Sequence, residues 1–194
     1  MEMLDLRRKD GSLTGEVKER SLVHRDGDLH GTVHIWLVRY QAERKSADVL
    51  LQRRSLEKDS FPGSYDISSA GHITAGFDFL ESAQRELKEE LGIEASPEEL
   101  HDSFIHIGYK EAEFYGKPFK NYEYSHVYLY ECELKPEEMH LQKEEVDSVR
   151  WMDYRECLDH IRKNDMDHCI LLDEFEEVAR QIEAYFAGTG RVIE

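Results

Sequence analysis

Residues 69–93 read S-A-G-H-I-T-A-G-F-D-F-L-E-S-A-Q-R-E-L-K-E-E-L-G-I, and the rest of the chain takes its meaning from them. Leu80, Ala83, Leu87 and Leu91 recur at helical spacing and define one buried face. Asp78 is a good N-cap, with Glu81 three residues on to complete a capping box, and Gly92 is a natural stop. Gly71 and Gly76 give the preceding loop freedom to bend and to approach closely. The segment therefore predicts a short strand, a bent loop and a helix of about three turns. Glu86, Glu89 and Glu90 fall on one side of that helix, within an arc of roughly 100°. Like charges so close need a cation between them. A hard divalent ion such as Mg²⁺ takes carboxylate oxygens and leaves positions for phosphate and water.

Upstream, Leu4 to Val17 carries the turn Asp10-Gly11-Ser12 and predicts an N-terminal hairpin within about residues 1–20. His24 and His30 bracket an Asp26-Gly27-Asp28 turn, read as a loop with a histidine at each end. That loop is either a polar surface turn or part of a metal site. Thr32 to Tyr40 is rich in β-branched and aromatic residues, as expected for a buried strand, with Asp48 to Arg53 as its antiparallel partner. Arg53 and Arg54 at the strand end are candidate phosphate contacts, the alternative being a solvated strand end. Phe61-Pro62-Gly63 is a turn, and Asp66 to Ala70 is a short strand leading into Gly71.

Downstream, Phe104 to Tyr109 is a strand candidate, Lys110 to Lys120 a polar, aromatic and mobile loop, and Tyr122 to Leu134 the longest strand. Glu137 to Glu145 reads as an acidic loop, and Val146 to Met152 as a last strand. Asp153 with Glu156 caps a helix through Ile161. Leu171, Leu172, Phe175, Val178, Ile182 and Tyr185 then mark an amphipathic helix, so helices occupy about residues 154–187. No repeat or long linker divides the chain, and a single domain over 1–194 is expected.

The net charge of −17 argues against a nucleic-acid backbone or an anionic membrane as partner, while a metal can still reverse the sign locally for a small phosphorylated ligand. Cys132, Cys157 and Cys169 are an odd set without a paired motif, which fits free thiols in a reducing compartment. No signal-like or spanning apolar run is present, and a cytoplasmic location is expected.

Gly71, Arg85, Glu86, Leu87, Glu89, Glu90, Gly92 and Ile93 sit at the spacing of the Nudix box, and the stretch resembles that motif. Phe77 stands where the box has its first glutamate. The flanking runs V-H-R-D-G-D-L-H-G-T-V-H-I-W-L-V, K-D-S-F-P-G-S-Y-D-I-S-S-A-G-H and N-Y-E-Y-S-H-V-Y resemble the isopentenyl-diphosphate-isomerase-like branch of that superfamily. The resemblance covers roughly residues 1–155 and implies an α+β fold: an α/β/α sandwich with a central mixed sheet, a Nudix loop-helix and a C-terminal amphipathic helix.

It also implies a metal site at Glu86, Glu89 and Glu90 with Mg²⁺ or Mn²⁺, and Glu89, Glu90 and Arg85 as catalytic residues. Arg85 is expected to orient Glu89 through an i,i+4 pair. His24, His30, His72 and Glu123 map onto a second metal site, and a homodimer is a further implication. The branch's isomerases place a catalytic cysteine before the box glycine and a catalytic glutamate on the following strand, where this chain has Ala70 and Asn121. Isomerisation needs a proton donor and a proton acceptor, and both usual agents are gone. The expectation is metal-dependent hydrolysis of a diphosphate linkage in a nucleoside diphosphate derivative or similar small substrate. A helix glutamate, Glu144 or Glu145 would be the general base. The rival, suggested by Phe77, is a scaffold that binds ligand without turning it over.

Overall fold

The computed structural model describes residues 2–194. Its organising strand is β3 (His30–Gln41), and the alternation of its side chains sets the layers. Val33, Ile35 and Leu37 face one way and pack, with Leu50, against Ala83, Leu87 and Leu91 of α2 (Phe79–Leu91). Trp36 and Val38 face the other way and meet Cys157 and Ile161 of α3 (Tyr154–Lys163) and Phe175, Val178, Ile182 and Phe186 of α4 (Leu172–Gly188). The result is the expected sandwich, a mixed sheet between helices.

The N-terminal hairpin is β1 (Met3–Arg7) with β2 (Leu13–Glu19), joined to the start of β3 by Leu6 opposite His30. On one side β3 runs parallel to β8 (Lys117–Glu131), with His30 opposite Glu123. On the other side its first half pairs antiparallel with β6 (Ser69–His72), and its second half with β4 (Ser46–Arg54). β4 in turn holds β5 (Tyr65–Asp66) and β9 (Val146–Asp153). The segment expected as one strand over Asp66 to Ala70 is thus divided, because its two ends serve different neighbours.

Two further expectations need correction. His24 does not lie on a loop: Arg20–Asp26 is a short helix, α1, closed by Gly27 in the left-handed conformation. Lys110 to Lys120 is not a mobile loop either. β7 (Leu100–Phe114) pairs with β8 residue by residue up to Phe114 opposite Lys117, leaving only Tyr115 and Gly116 between them. Both have positive φ, 52° and 72°, the twist that a two-residue hairpin turn requires.

Asp78, Asp153 and Gly92 cap the helices as the sequence implies, but neither expected capping box closes, since Glu81 and Glu156 do not bond back to the N-cap backbone. α3 also runs on to Lys163 rather than ending at Ile161. The Asp78 carboxylate accepts from the Glu81 N–H at 2.8 Å, and Asp153 accepts from the Arg155 N–H at 2.9 Å. No helix among the described residues is long and apolar enough to cross a membrane.

Candidate active site

The loop from β6 into α2 crosses the open end of the sheet, and there the two sandwich faces meet in a cleft of about 240 Å³. Glu86, Glu89 and Glu90 line it from α2, and Ala70, Gly71 and His72 from β6. Gly71 is required by a close approach. A Cβ at this position would lie 2.1 Å from Glu86 Cδ, so the carboxylate occupies the space that any other residue would fill.

The three carboxylates differ. Glu90 is buried, and the Ala70 N–H donates to its Oε2 at 3.2 Å. Burial, with Glu86 beside it, pushes Glu90 up to about 8. Burial likewise raises Glu86 to about 7, against the pull of Arg85. Glu89 is exposed at the mouth. Two carboxyl groups so reluctant to ionise, next to a third, form an acceptor set suited to a hard divalent cation. Arg85 corrects the expected pairing: its guanidinium reaches Glu86 Oε1 at 2.7 Å and the His72 carbonyl at 3.2 Å, so it fixes Glu86 rather than Glu89.

His24 from α1, His30 from β3 and His72 from β6 converge, with one ring nitrogen of each within 4.8 Å of the others. The His24 and His72 Nε2 atoms are 3.2 Å apart, while His24 Nδ1 and His30 Nε2 are buried without a partner. Burial lowers all three, His24 to about 3, so they are neutral rings with free lone pairs. Such a group could hold a borderline metal ion. Glu123, the ladder neighbour of His30, is not part of that group, and its Oε2 lies 3.8 Å from His34 Nε2.

The remaining sequence candidates separate cleanly. Arg54 lines the cleft but is held by Asp66 at 2.8 Å and by the Ser60 carbonyl; Arg53 points away, donating to the Gly63 carbonyl. Glu145 lines the cleft in an ion pair with Lys58, whereas Glu144 does not reach it. Phe77, at the position of the missing glutamate, is 52% exposed and lies outside the cleft.

Sequence reasoning missed the cleft's back wall. His34 Nδ1–H donates to Glu174 Oε1 at 2.9 Å, and Trp36 Nε1–H reaches the same oxygen at 3.3 Å. His106 Nδ1 lies 3.4 Å from the other oxygen. Burial opposes charge on His34, yet Glu174 and Glu123 outweigh it and hold the ring at about 9. Burial also works against the Glu174 carboxylate, but the two histidines keep it well below its usual range. A signal was present: Glu174 shares the i, i+4, i+8 face of Val178 and Ile182, which is no place for an unpartnered carboxylate.

A box of fixed spacing on a loop-helix, in a mixed sheet with helices packed on both faces, defines a class of α/β/α sandwich built around that motif. The chain belongs to the Nudix family, whose NUDIX domain profile matches residues 29–172. It is 42% identical to Nudix hydrolase 3 of Arabidopsis thaliana over 167 residues, which are 84% of this chain and 21% of the plant protein. It is 40% identical to an uncharacterised Nudix hydrolase of Clostridium acetobutylicum over 145 residues, 75% of this chain and 66% of that protein. The chain therefore spans about a fifth of the first relative's length and just under two thirds of the second's. Among solved structures, Deinococcus radiodurans DR0079 is similar with a TM-score of 0.67 at 20% identity, over 90% of this chain and 98% of that one. The Nudix domain of Shewanella oneidensis NrtR, solved with ADP-ribose, has a TM-score of 0.55 at 15% identity, over 78% and 87% of the two chains. These two likenesses bear on the fold alone.

Proposed function

We propose that this chain hydrolyses a diphosphate linkage in a small phosphorylated substrate with the help of Mg²⁺ or Mn²⁺. One observation carries the reading: Glu86 and Glu90 converge at Gly71 and Ala70 with carboxyl groups that burial disfavours as anions, beside the exposed Glu89. Glu86, Glu89 and Glu90 would hold the cation, which when bound neutralises phosphate charge and acidifies a water. Arg85 keeps the Glu86 carboxylate over the glycine. Lys58, paired with Glu145, supplies positive charge on the facing wall, and Glu145 is the acidic-loop candidate for taking the proton of the attacking water. The neutral histidines His24, His30 and His72 would take a second, softer cation.

The flanking sequence supports placing the chain near the isopentenyl-diphosphate-isomerase-like branch, but Ala70 and Asn121 leave the proton transfers of isomerisation without agents. Hydrolysis is therefore the preferred chemistry. Phe77 favours the non-catalytic alternative only weakly, because its exposed side chain takes no part in the cleft.

The test is phosphate or nucleotide release from a panel of nucleoside and isoprenoid diphosphates with Mg²⁺ and with Mn²⁺. Turnover should be lost in Glu89→Gln and Glu90→Gln with folding retained. Near-wild-type rates in both variants would remove the assignment, and tight binding without release would establish the alternative.

A further inference from the structure

Four lysine and arginine side chains line the cleft, and three are already paired: Arg20 with Glu2, Arg54 with Asp66, and Lys58 with Glu145. Lys110 on β7 is the exception among the described residues. Its ammonium donates to the Cys169 carbonyl at 3.1 Å and lies 4.5 Å from the centre of the Phe61 ring, with no carboxylate partner. An ammonium has three N–H groups, so at least one remains for a ligand.

Phe61 is itself held in an uncommon backbone conformation, φ 47°, the left-handed region that a bulky side chain rarely adopts. Its ring is braced edge-on by Phe114 at 4.8 Å. The aromatic platform thus fixes the ammonium in place without neutralising it. Directly across the β ladder from Lys110 is Asn121, whose side chain shares that face and lines the same cleft. The Asn121 Oδ1 is buried with no hydrogen-bond partner, a deficit that a ligand hydroxyl would make good.

We propose that Lys110 and Asn121 form a selectivity site for a substrate sugar that carries an anionic group beside a hydroxyl. Lys110 takes the anion and Asn121 accepts from the hydroxyl. The proposal rests on the hydrolytic function proposed above and names the substrate class that the cleft prefers. A sugar carboxylate and a ribose phosphate share this chemistry.

Matched pairs separate the possibilities: UDP-glucose against UDP-glucuronic acid for the carboxylate, and NAD⁺ against NADP⁺ for the phosphate. With Mg²⁺ or Mn²⁺, the wild-type chain should favour the acidic member of at least one pair by about tenfold in kcat/KM, the worth of one hydrogen bond to a charged group. Lys110→Met should erase that preference through KM for the acidic member and leave the neutral member within about twofold. Asn121→Ala should weaken both members of the preferred pair. Titration of the same ligands into Glu89→Gln by calorimetry gives the preference independently of turnover. A charge preference that depends on Lys110 but comes without hydrolysis upholds the site and removes the hydrolytic function. Equal affinity within both pairs overturns the site, as does Lys110→Met weakening both members alike, which is what a purely structural tie to Cys169 would do.

Discussion

The carboxylate of Glu86 lies where a side chain on residue 71 would begin, 2.1 Å from the position of a Cβ there. The glycine and the acid are a fitted pair, fifteen positions apart, and a Cβ on residue 71 would push the Glu86 carboxylate out of its place. Gly71→Ala should therefore displace Glu86 and lower kcat by about 100-fold, the usual cost of an ångström-scale misplacement in a site. Turnover together with the urea midpoint checks this, and an active Gly71→Ala chain of unchanged stability would refute the fit.

Cation loading should release protons. Metal-free Glu90 titrates at about 8 and Glu86 at about 7, both raised by burial, so near pH 7 much of the pair is protonated. A bound cation requires the carboxylates, so affinity should weaken as pH falls from about 8 to about 6, with proton uptake by the buffer on binding. Calorimetry of Mn²⁺ binding in buffers of different ionisation enthalpy measures the number, and Glu90→Gln should reduce it.

The histidine group should behave in the opposite way. Burial holds His24 at about 3 and His72 well below its ordinary range, so the rings are already neutral. Co²⁺ bound there should show visible absorption whose affinity is nearly flat between pH 6 and 8. His30→Ala should abolish the bands while leaving the glutamate site able to take Mn²⁺.

Removing one partner of the buried pair behind the cleft should be costly. Glu174→Ala leaves His34 without its main partner and should lower stability by about 3–5 kcal/mol. The dependence on pH has a definite sign. His34 is raised from 6.5 to about 9, so its contribution is complete below 6.5 and fades as pH climbs through 9; Glu174 is lowered from 4.5, so its contribution is present above 4.5. The deficit of the variant should then be largest between pH 4.5 and 6.5 and smaller at pH 9, as urea unfolding at pH 6 and pH 9 would report.

What was legible in the chain follows from how local the signal is. Box spacing, caps and the apolar stripes of α2 and α4 are properties of short windows, and they located the loop-helix and the layers. The β7–β8 hairpin escaped because Lys110, Glu111, Glu113 and Lys117 make its outer half look like solvent-loving loop, although strands need only a ladder partner and a turn. Glu174, Lys110 and the departure of Arg53 from the cleft depend on which strands become neighbours. That is long-range information, carried at most by a polar residue on an apolar face.

One carboxylate ties together residues 34, 106 and 174, which lie on a central strand, an edge strand and the last helix. The wall that Glu174 completes also includes Cys169 and Leu171. During synthesis the box precedes α4, so its cleft should stay open at the back until that helix has been translated and docked. A nascent chain halted before residue 174 would have the glutamates and no enclosed site, so ligand capture should be delayed until the last helix is in place.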